Sequence, residues 1–240
     1  MKTPKKMKTL NRKTIYLTSL LFAMLLLGCN KSDDEMPNES PLHEKVLVDF
    51  TTRLNTMAQP ENLVNNTNNS SATIARAFFN SIKTSSEIFS SFFVIPQSIE
   101  SRFVSNSQTY TWSDGTSSVS YTITELSDRY TLLLTVEDPT EEIDYKIEGY
   151  ELKQTNFLKL KFFDDNTLKT ELTWELKGEV LHVDLVELFD GDTTKMEYNT
   201  NDNSGMIKVY EGTQLTTEIV WNSDGSGTFT DHLANESFTF

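Results

Sequence analysis

The chain has 240 residues, of which 23% are charged and 37% hydrophobic, and its formal net charge is −14 at pH 7. This negative charge argues against nucleic acid as a partner, because phosphates are bound by lysine and arginine. It also argues against a flat basic contact with anionic lipid. The sequence contains one cysteine, so its stability must come from a hydrophobic core and not from internal disulfides.

The N-terminus combines a basic start with an apolar run. Residues 1–13 contain six lysines and arginines and no acid, and the run from Thr14 to Gly28 contains no charge. A membrane-spanning helix needs about 20 apolar residues, so this shorter run is typical of a secretory signal peptide. Removal of residues 1–28 takes away the six positive charges and changes the formal charge from −14 to −20.

The cysteine directly follows the apolar run. The sequence Leu26-Leu27-Gly28-Cys29 resembles the lipobox of bacterial lipoproteins. In that family the thiol receives a diacylglycerol and the peptide is cut before the cysteine, so the resemblance implies a lipid anchor at Cys29. Two or more acyl chains hold a protein stably at a membrane. The alternative is an ordinary signal peptide followed by an accidental cysteine.

The residues after Cys29 bear on the destination of the protein. In the lipoprotein family an aspartate at the next position often marks inner-membrane retention, whereas this chain has Asn30. The stretch Lys31–Glu35 resembles the lysine-and-acid tags that direct some Gram-negative lipoproteins to the cell surface. Alternatively, it is a solvated tether that its charges keep extended. We expect a lipid-anchored protein of the outer membrane, on the cell surface or on the periplasmic face.

The pattern of the chain predicts residues 29–41 as a lipidated cysteine and flexible acidic tether, and residues 42–240 as one globular domain. Residues 42–96 are expected to be helical. Ser40-Pro41 is typical of a helix start, and Pro60 is expected to end this first helix, with a loop over residues 61–71. Its apolar residues recur at helical spacing: Leu42, Val46, Phe50, Leu54 and Met57.

A second helical region is predicted over residues 72–95. Thr84-x-x-Glu87 has the form of a capping box, so the chain is expected to break at Thr84 and to restart. Five phenylalanines make this region strongly apolar and require a partner surface: Phe78, Phe79, Phe89, Phe92 and Phe93.

Residues 107–240 change to a period of two and predict an antiparallel β-sheet. In one example, Leu158, Leu160 and Phe162 alternate with lysines, and Leu215, Ile219 and Trp221 are expected to share a face in the same way. Turn sequences such as Asp-Gly separate the segments, which gives ten to twelve strands in a meander. Regular alternation of apolar and polar residues leaves one face of the sheet buried and the other exposed to solvent.

The fold class predicted is mainly β (α+β), with a long antiparallel meander that forms a curved sheet or barrel and packs on two N-terminal helices. The order of lipobox, helices and meander is similar to the half-barrel lipoprotein carriers and, more loosely, to lipocalin-like barrels, although the lipocalin Gly-x-Trp is absent. In those families the concave apolar face holds acyl chains, so the resemblance implies an apolar ligand.

The sequence offers little for catalysis. None of the three histidines lies in an HExxH motif, and no Gly-x-Ser-x-Gly or glycine-rich phosphate loop is present. His182 and Asp184 share a strand face and could act as an acid–base or metal pair. We favour the simpler explanation, an exposed pair on the polar side opposite Leu181, Val183 and Leu185, because metal sites usually need three or four ligands. We therefore expect a non-enzymatic protein with no catalytic, cofactor or metal residues.

Two acidic turns are candidates for calcium binding, and two tryptophans are candidates for the core. Asp190-Gly-Asp192 and Asp224-Gly225 invite comparison with calcium loops, but the EF-hand pattern is not met, and turn chemistry accounts for them. Trp174 and Trp221 follow the apolar parity and are expected to be buried.

The sequence therefore predicts a membrane-anchored, non-enzymatic lipoprotein that binds an apolar ligand in a curved sheet. The alternative is a cell-surface interaction, glycan-binding or structural lipoprotein. The oligomeric state stays open.

Overall fold

The computed structural model describes residues 40–113, 116–140, 143–188 and 191–240. Strand and helix account for 50% and 20% of the residues, which confirms the mainly β class. The predicted signal peptide, the lipidated Cys29 and nearly all of the tether lie outside the described residues.

The first helical region begins with a 3₁₀ turn, Leu42–Glu44, followed by helices α1 (Val48–Thr56) and α2 (Glu61–Asn65). The single helix predicted from Ser40 is wrong, because Leu47 adopts a left-handed conformation with φ of 60° and divides the turn from α1. The change of direction keeps the apolar residues on both sides of the break against the core. The loop predicted over residues 61–71 is also partly wrong, since Pro60 is the N-cap of α2.

Helix α3 (Ser70–Ser91) is continuous, so the predicted break at Thr84 is wrong. Its N-terminus is capped by Asn69, whose side chain accepts hydrogen bonds from two backbone amides of the first turn. The uninterrupted helix buries Phe79, Ile82 and Phe89 on one side. A break at Thr84 would direct Phe89 away from the side on which Phe79 and Ile82 are buried. None of the helices in the described ranges has the length and apolar character needed to cross a bilayer.

The described residues form one antiparallel sheet of thirteen strands, in which spatial order equals chain order. The sheet is curved and unclosed, so of the two predicted forms it is the curved sheet. The first strand lies ahead of the predicted start at residue 107. The strands are β1 Ser101–Val104, β2 Ser107–Ser113, β3 Ser118–Glu125, β4 Arg129–Asp138, β5 Ile143–Leu152, β6 Phe157–Asp164, β7 Thr167–Lys177, β8 Val180–Glu187, β9 Asp192–Asn199, β10 Gly205–Glu211, β11 Gln214–Trp221, β12 Gly227–Asp231 and β13 Glu236–Thr239.

The two faces of the sheet differ as the alternation predicts. Leu158 and Leu160 are 1% and 0% exposed, whereas the amino groups of Lys159 and Lys161 lie 2.6 and 3.7 Å from the carboxylate of Glu171 on the opposite face. We call the face that carries Leu158 and Leu160 the inner face and the other the outer face.

Aromatic contacts join the helices to the inner face. Phe50 of α1 packs edge-on against Trp174 with ring centroids 5.9 Å apart. Phe79 of α3 packs against Trp221 at 6.1 Å. Trp174 and Trp221 are each 2% exposed, so their predicted burial is confirmed. The two predicted partners, helices and sheet, therefore share one core.

A β-bulge alters the alternation in β11. The register between β10 and β11 shifts after Val209, and Thr216 is buried, with its hydroxyl donating to the Val209 carbonyl at 3.2 Å. Ile219 is buried as predicted, but Leu215 is only partly buried. The expectation that Leu215 shares its face with Ile219 is wrong because the extra residue of the bulge reverses the parity.

Candidate functional site

A cavity of about 290 Å³ lies between helix α3 and the inner face of the sheet. We call it the helix–sheet cavity. Two types of element line it, one helix and three neighbouring strands. The lining residues are Phe78, Ser81 and Ile82 of α3, Leu185 and Glu187 of β8, Asp192 and Thr194 of β9, and Val209 of β10.

The floor of the helix–sheet cavity is apolar. Ile82 and Leu185 are 2% and 5% exposed, and Phe78 and Val209 are partly buried against the same core. Phe78 and Ile82 are one helical turn apart, so both face the sheet. Across the sheet, Thr194 lies directly between Leu185 and Val209 in register. This floor can take up the apolar part of a small molecule.

The rim of the helix–sheet cavity is acidic. Glu187 is exposed and Asp192 is half-buried. The two residues are opposite each other in the register of β8 and β9, and Asp192 is in turn opposite Glu211 of β10. Three acidic residues therefore occupy neighbouring register positions at the ends of adjacent strands.

The carboxylates belong to the inner face by parity. Val183 and Leu185 precede Glu187 at alternate positions of β8, and both are buried. The sequence shows that an acid, Glu187, follows Val183 and Leu185 at inner-face spacing. It does not show which residues of β9 and β10 lie beside Glu187, because that depends on strand register. Sequence reasoning missed the site because the cavity forms only when α3 packs on the sheet.

A second recess, of about 480 Å³, lies on strands β2–β4 and is rich in hydroxyl groups. We call it the hydroxyl-lined groove. Trp112 shares the inner face with buried Val119 by register and packs against the core, and its buried indole Nε1 has no hydrogen-bond partner among the described protein groups. The groove is lined by Thr111, Trp112, Ser113, Ser118, Val119, Ser120, Thr135 and Glu137. The hydroxyls and the carboxylate of Glu137 share the outer face by register, so they can exchange hydrogen bonds with a polar ligand.

His182 and Asp184 lie on the outer face, opposite buried Leu181 and Val183. Each is directed to the neighbouring strand β9: the carboxylate of Asp184 lies 2.9 Å from the amino group of Lys195, and the ring of His182 lies 3.7 Å from a carboxylate oxygen of Glu197. The predicted position of both residues on the polar face is thus confirmed. Among the residues that the structure describes, no third metal ligand converges on them.

In the acidic turn that the structure describes, the aspartate carboxylate accepts hydrogen bonds from within the turn. One carboxylate oxygen of Asp224 accepts hydrogen bonds from the hydroxyl and the backbone amide of Ser226, at 2.6 and 2.9 Å. These bonds hold the pKa of Asp224 below its usual value. Asp190 lies outside the described residues, and Asp192 begins a strand. Within the described ranges, no three histidine, cysteine or acidic side chains converge in a way that could hold a metal ion.

Buried polar groups fasten the first helical region to the sheet. The Leu42 amide donates to Oε1 of Gln108 at 2.6 Å, and His43 Nδ1 lies 2.7 Å from the hydroxyl of Tyr110. Burial raises the pKa of Tyr110 to about 12, partly offset by its contact with His43. These residues hold the helical region in place, and the described contacts give them no substrate to act on.

Comparison of the chain with family models, with curated proteins and with solved structures finds no match. The function must therefore be proposed from the residues of this chain.

Proposed function

We propose that this chain is a non-enzymatic lipoprotein, anchored to the outer membrane through Cys29, which binds a small apolar ligand in the helix–sheet cavity. The lipobox-like sequence supports the anchor. The observation that supports the binding role is the apolar floor of the cavity, formed by Ile82, Leu185 and Val209 at the edge of the shared core.

The size of the helix–sheet cavity favours a small ligand over a long acyl chain. Phenylalanines of the helices and of the turn after α3 occupy much of the inner face, as the contacts of Phe50, Phe79 and Phe93 with the sheet aromatics show. The remaining 290 Å³ lies near the lower end of the roughly 300–1,000 Å³ typical of ligand pockets. A ligand with a short chain or a single ring fits this volume.

Titration with n-hexanol tests the proposal. We would label the methyl groups of the full chain in micelles and follow the NMR signals of Leu185 and Val209. Saturable shifts at both are expected. Val209→Phe fills the cavity and should abolish the shift at Leu185, whereas Val220→Phe, at a position that is 40% exposed on the neighbouring strand, should leave it unchanged. Shifts that do not saturate, or that survive Val209→Phe, contradict the proposal.

A second candidate function is glycan binding at the cell surface. The hydroxyl-lined groove favours it, because its serine and threonine hydroxyls can donate and accept hydrogen bonds and Glu137 can accept them from sugar hydroxyls. A glycan array probed with the full chain tests this candidate. Ser120→Ala with Thr135→Ala, which removes two hydroxyls from the groove, should remove the bound signals, and Val94→Ala, at an exposed position away from the groove, should retain them. An array without signals contradicts it.

A further inference from the structure

We infer that two copies of this chain pair through strand β1, which joins their sheets edge to edge about a two-fold axis at Ser101. This pairing concerns the edge of the sheet and does not involve the helix–sheet cavity. The open edge of β1 and the charges that lie along it support a second copy as the occupant.

Strand β1 begins the sheet and, within the described residues, has a neighbouring strand on one side only. Such an edge presents unpaired backbone groups that can bind another strand, and many proteins protect it with lysine, proline or a bulge. β1 is short, but its sequence Ser-Arg-Phe-Val contains neither lysine nor proline, and its register with β2 is regular. Phe103 and Val104 are 40% and 57% exposed, so the edge is also apolar.

The opposite edge of the sheet, β13, is less suited to a second copy. The side chain of Asn69, the N-cap of α3, donates a hydrogen bond of 3.1 Å to the carbonyl of Thr239. The formal net charge of the chain is −14, so two copies repel each other. Glu236 adds a negative charge to β13, whereas the charged residue of β1 is Arg102. Of the two edges, β1 is therefore the one that favours pairing.

The charges beside β1 are complementary to those of a second β1. In an antiparallel pair centred on Ser101, Arg102 of each copy would lie opposite Glu100 of the other. Glu100 directly precedes β1, so this pairing extends the strand by one residue. Both side chains are exposed, and neither has an ion-pair partner among the residues that the structure describes. Opposite charges directly across two strands stabilise the pair.

The other symmetric registers are less favourable. Residues must lie opposite residues of the same face, and a pair centred on Arg102 would place two like charges opposite each other, which is destabilising. A pair centred on Phe103 would need Ser105 to be extended, but Ser105 has a φ of 56°. With the centre at Ser101, Phe103 would lie opposite Ile99 of the other copy, so the apolar side chains at the edge would cover each other.

The described chain begins beside the same edge. The amide of Leu42 donates to the side chain of Gln108 on β2, the strand next to β1. A two-fold axis perpendicular to the sheet keeps both inner faces on one side, so the two N-terminal segments would lie near each other and both proposed anchors could enter one membrane. Anchoring to one surface raises the effective concentration of the two copies, which favours a pair with a short interface.

Sedimentation equilibrium of the full chain, with detergent micelles in large molar excess, tests the pairing. We expect a monomer–dimer equilibrium. Glu100→Arg would place like charges opposite each other and should weaken the dimer about tenfold or more. Glu236→Arg makes the same change of charge at the other edge and should leave the dissociation constant unchanged. Glu100→Arg with Arg102→Glu exchanges the two charges and should restore the dimer.

Each other outcome contradicts the inference. A chain that is monomeric at every concentration does not pair through β1. A dimer that is unchanged by Glu100→Arg pairs elsewhere, and one that is weakened by Glu236→Arg involves β13. Loss of the dimer in Glu100→Arg without recovery in the charge-exchanged variant contradicts the register centred on Ser101.

Discussion

The backbone amide of Leu47 donates a hydrogen bond of 2.7 Å to a carboxylate oxygen of Glu151, 104 positions further along the chain. Leu47 is the N-cap of α1, and its side chain makes no capping bond. A carboxylate at a helix N-terminus satisfies a free amide and interacts favourably with the helix dipole. The middle of the sheet therefore supplies the cap that the helix sequence lacks.

Replacement of this carboxylate should weaken the attachment of α1. Glu151→Ala leaves the Leu47 amide without its partner, and we expect the free energy of unfolding to fall by about 1–3 kcal/mol. Chemical denaturation monitored by tryptophan fluorescence measures the change. Glu148→Ala, on the outer face of the same strand, should cost less than half as much. Equal losses in the two variants would show that the capping bond has no special role.

The same residue should give stability a dependence on pH. Burial raises the pKa of Glu151, the nearby charge of Asp49 raises it further, and the bond from Leu47 offsets part of the rise. Because the pKa in the folded state is above the unfolded value, the contribution of this group is fully present below the unfolded pKa and is lost as pH rises through the folded pKa.

Glu151→Gln removes this titration and keeps an oxygen that can accept from Leu47. The free energy of unfolding of the variant minus that of the unmodified chain should therefore be larger at pH 7 than at pH 4. Denaturation curves at both pH values test the sign of this difference. A difference that is constant with pH, or one that grows towards pH 4, is the contrary result.

Gly149 marks a place where the inner face tolerates no side chain. A Cβ atom at this position would lie 2.5 Å from Leu160 Cδ2 and 2.6 Å from the carbonyl oxygen of Lys159. Because the carbonyl is part of the ladder between β5 and β6, it cannot move away freely. We expect Gly149→Ala to lower the free energy of unfolding by about 1–3 kcal/mol. Val220→Ala, at an exposed position, should change it by no more than about 0.5 kcal/mol.

The proposed lipid anchor gives a prediction that is independent of the fold. In Gram-negative cells fed an alkyne-bearing palmitate, the full chain should take up the label and partition with the membrane. Cys29→Ser should lose the label and retain residues 1–28, whereas Ser32→Ala should behave as the unmodified chain. Gel fluorescence and mass spectrometry measure both effects. Label on the serine variant would place the acyl chain elsewhere and contradict the anchor at Cys29.

The sheet could be predicted from the sequence because one rule, alternation, acts on every strand. Leu158 and Leu160 face inward for the same reason that Lys159 faces outward. The rule fails at Thr216, where a bulge shifts the register. A bulge adds one residue without changing composition, so the sequence contained no signal for it.

The helical region was harder to predict because tertiary contacts override local preferences there. The left-handed conformation of Leu47 is stabilised by burial of its side chain and by Glu151, and neither can be read from neighbouring residues. At Thr84 a capping motif is present, but burial of Phe79 and Phe89 on one side of a continuous helix outweighs it. The helix–sheet cavity combines both difficulties, since it requires the strand register and the position of α3.

The identity of spatial and chain order in the sheet has a consequence for how the protein folds. Each strand pairs with the next strand of the chain, so closing each hairpin costs little loop-closure entropy. We therefore expect the sheet to form quickly for a β protein of this size. The helices, in contrast, depend on contacts with distant parts of the chain. The backbone amide of Ala58 donates to the hydroxyl of Tyr198 across 140 positions, so the first helical region can complete this contact only after β9 has been synthesised.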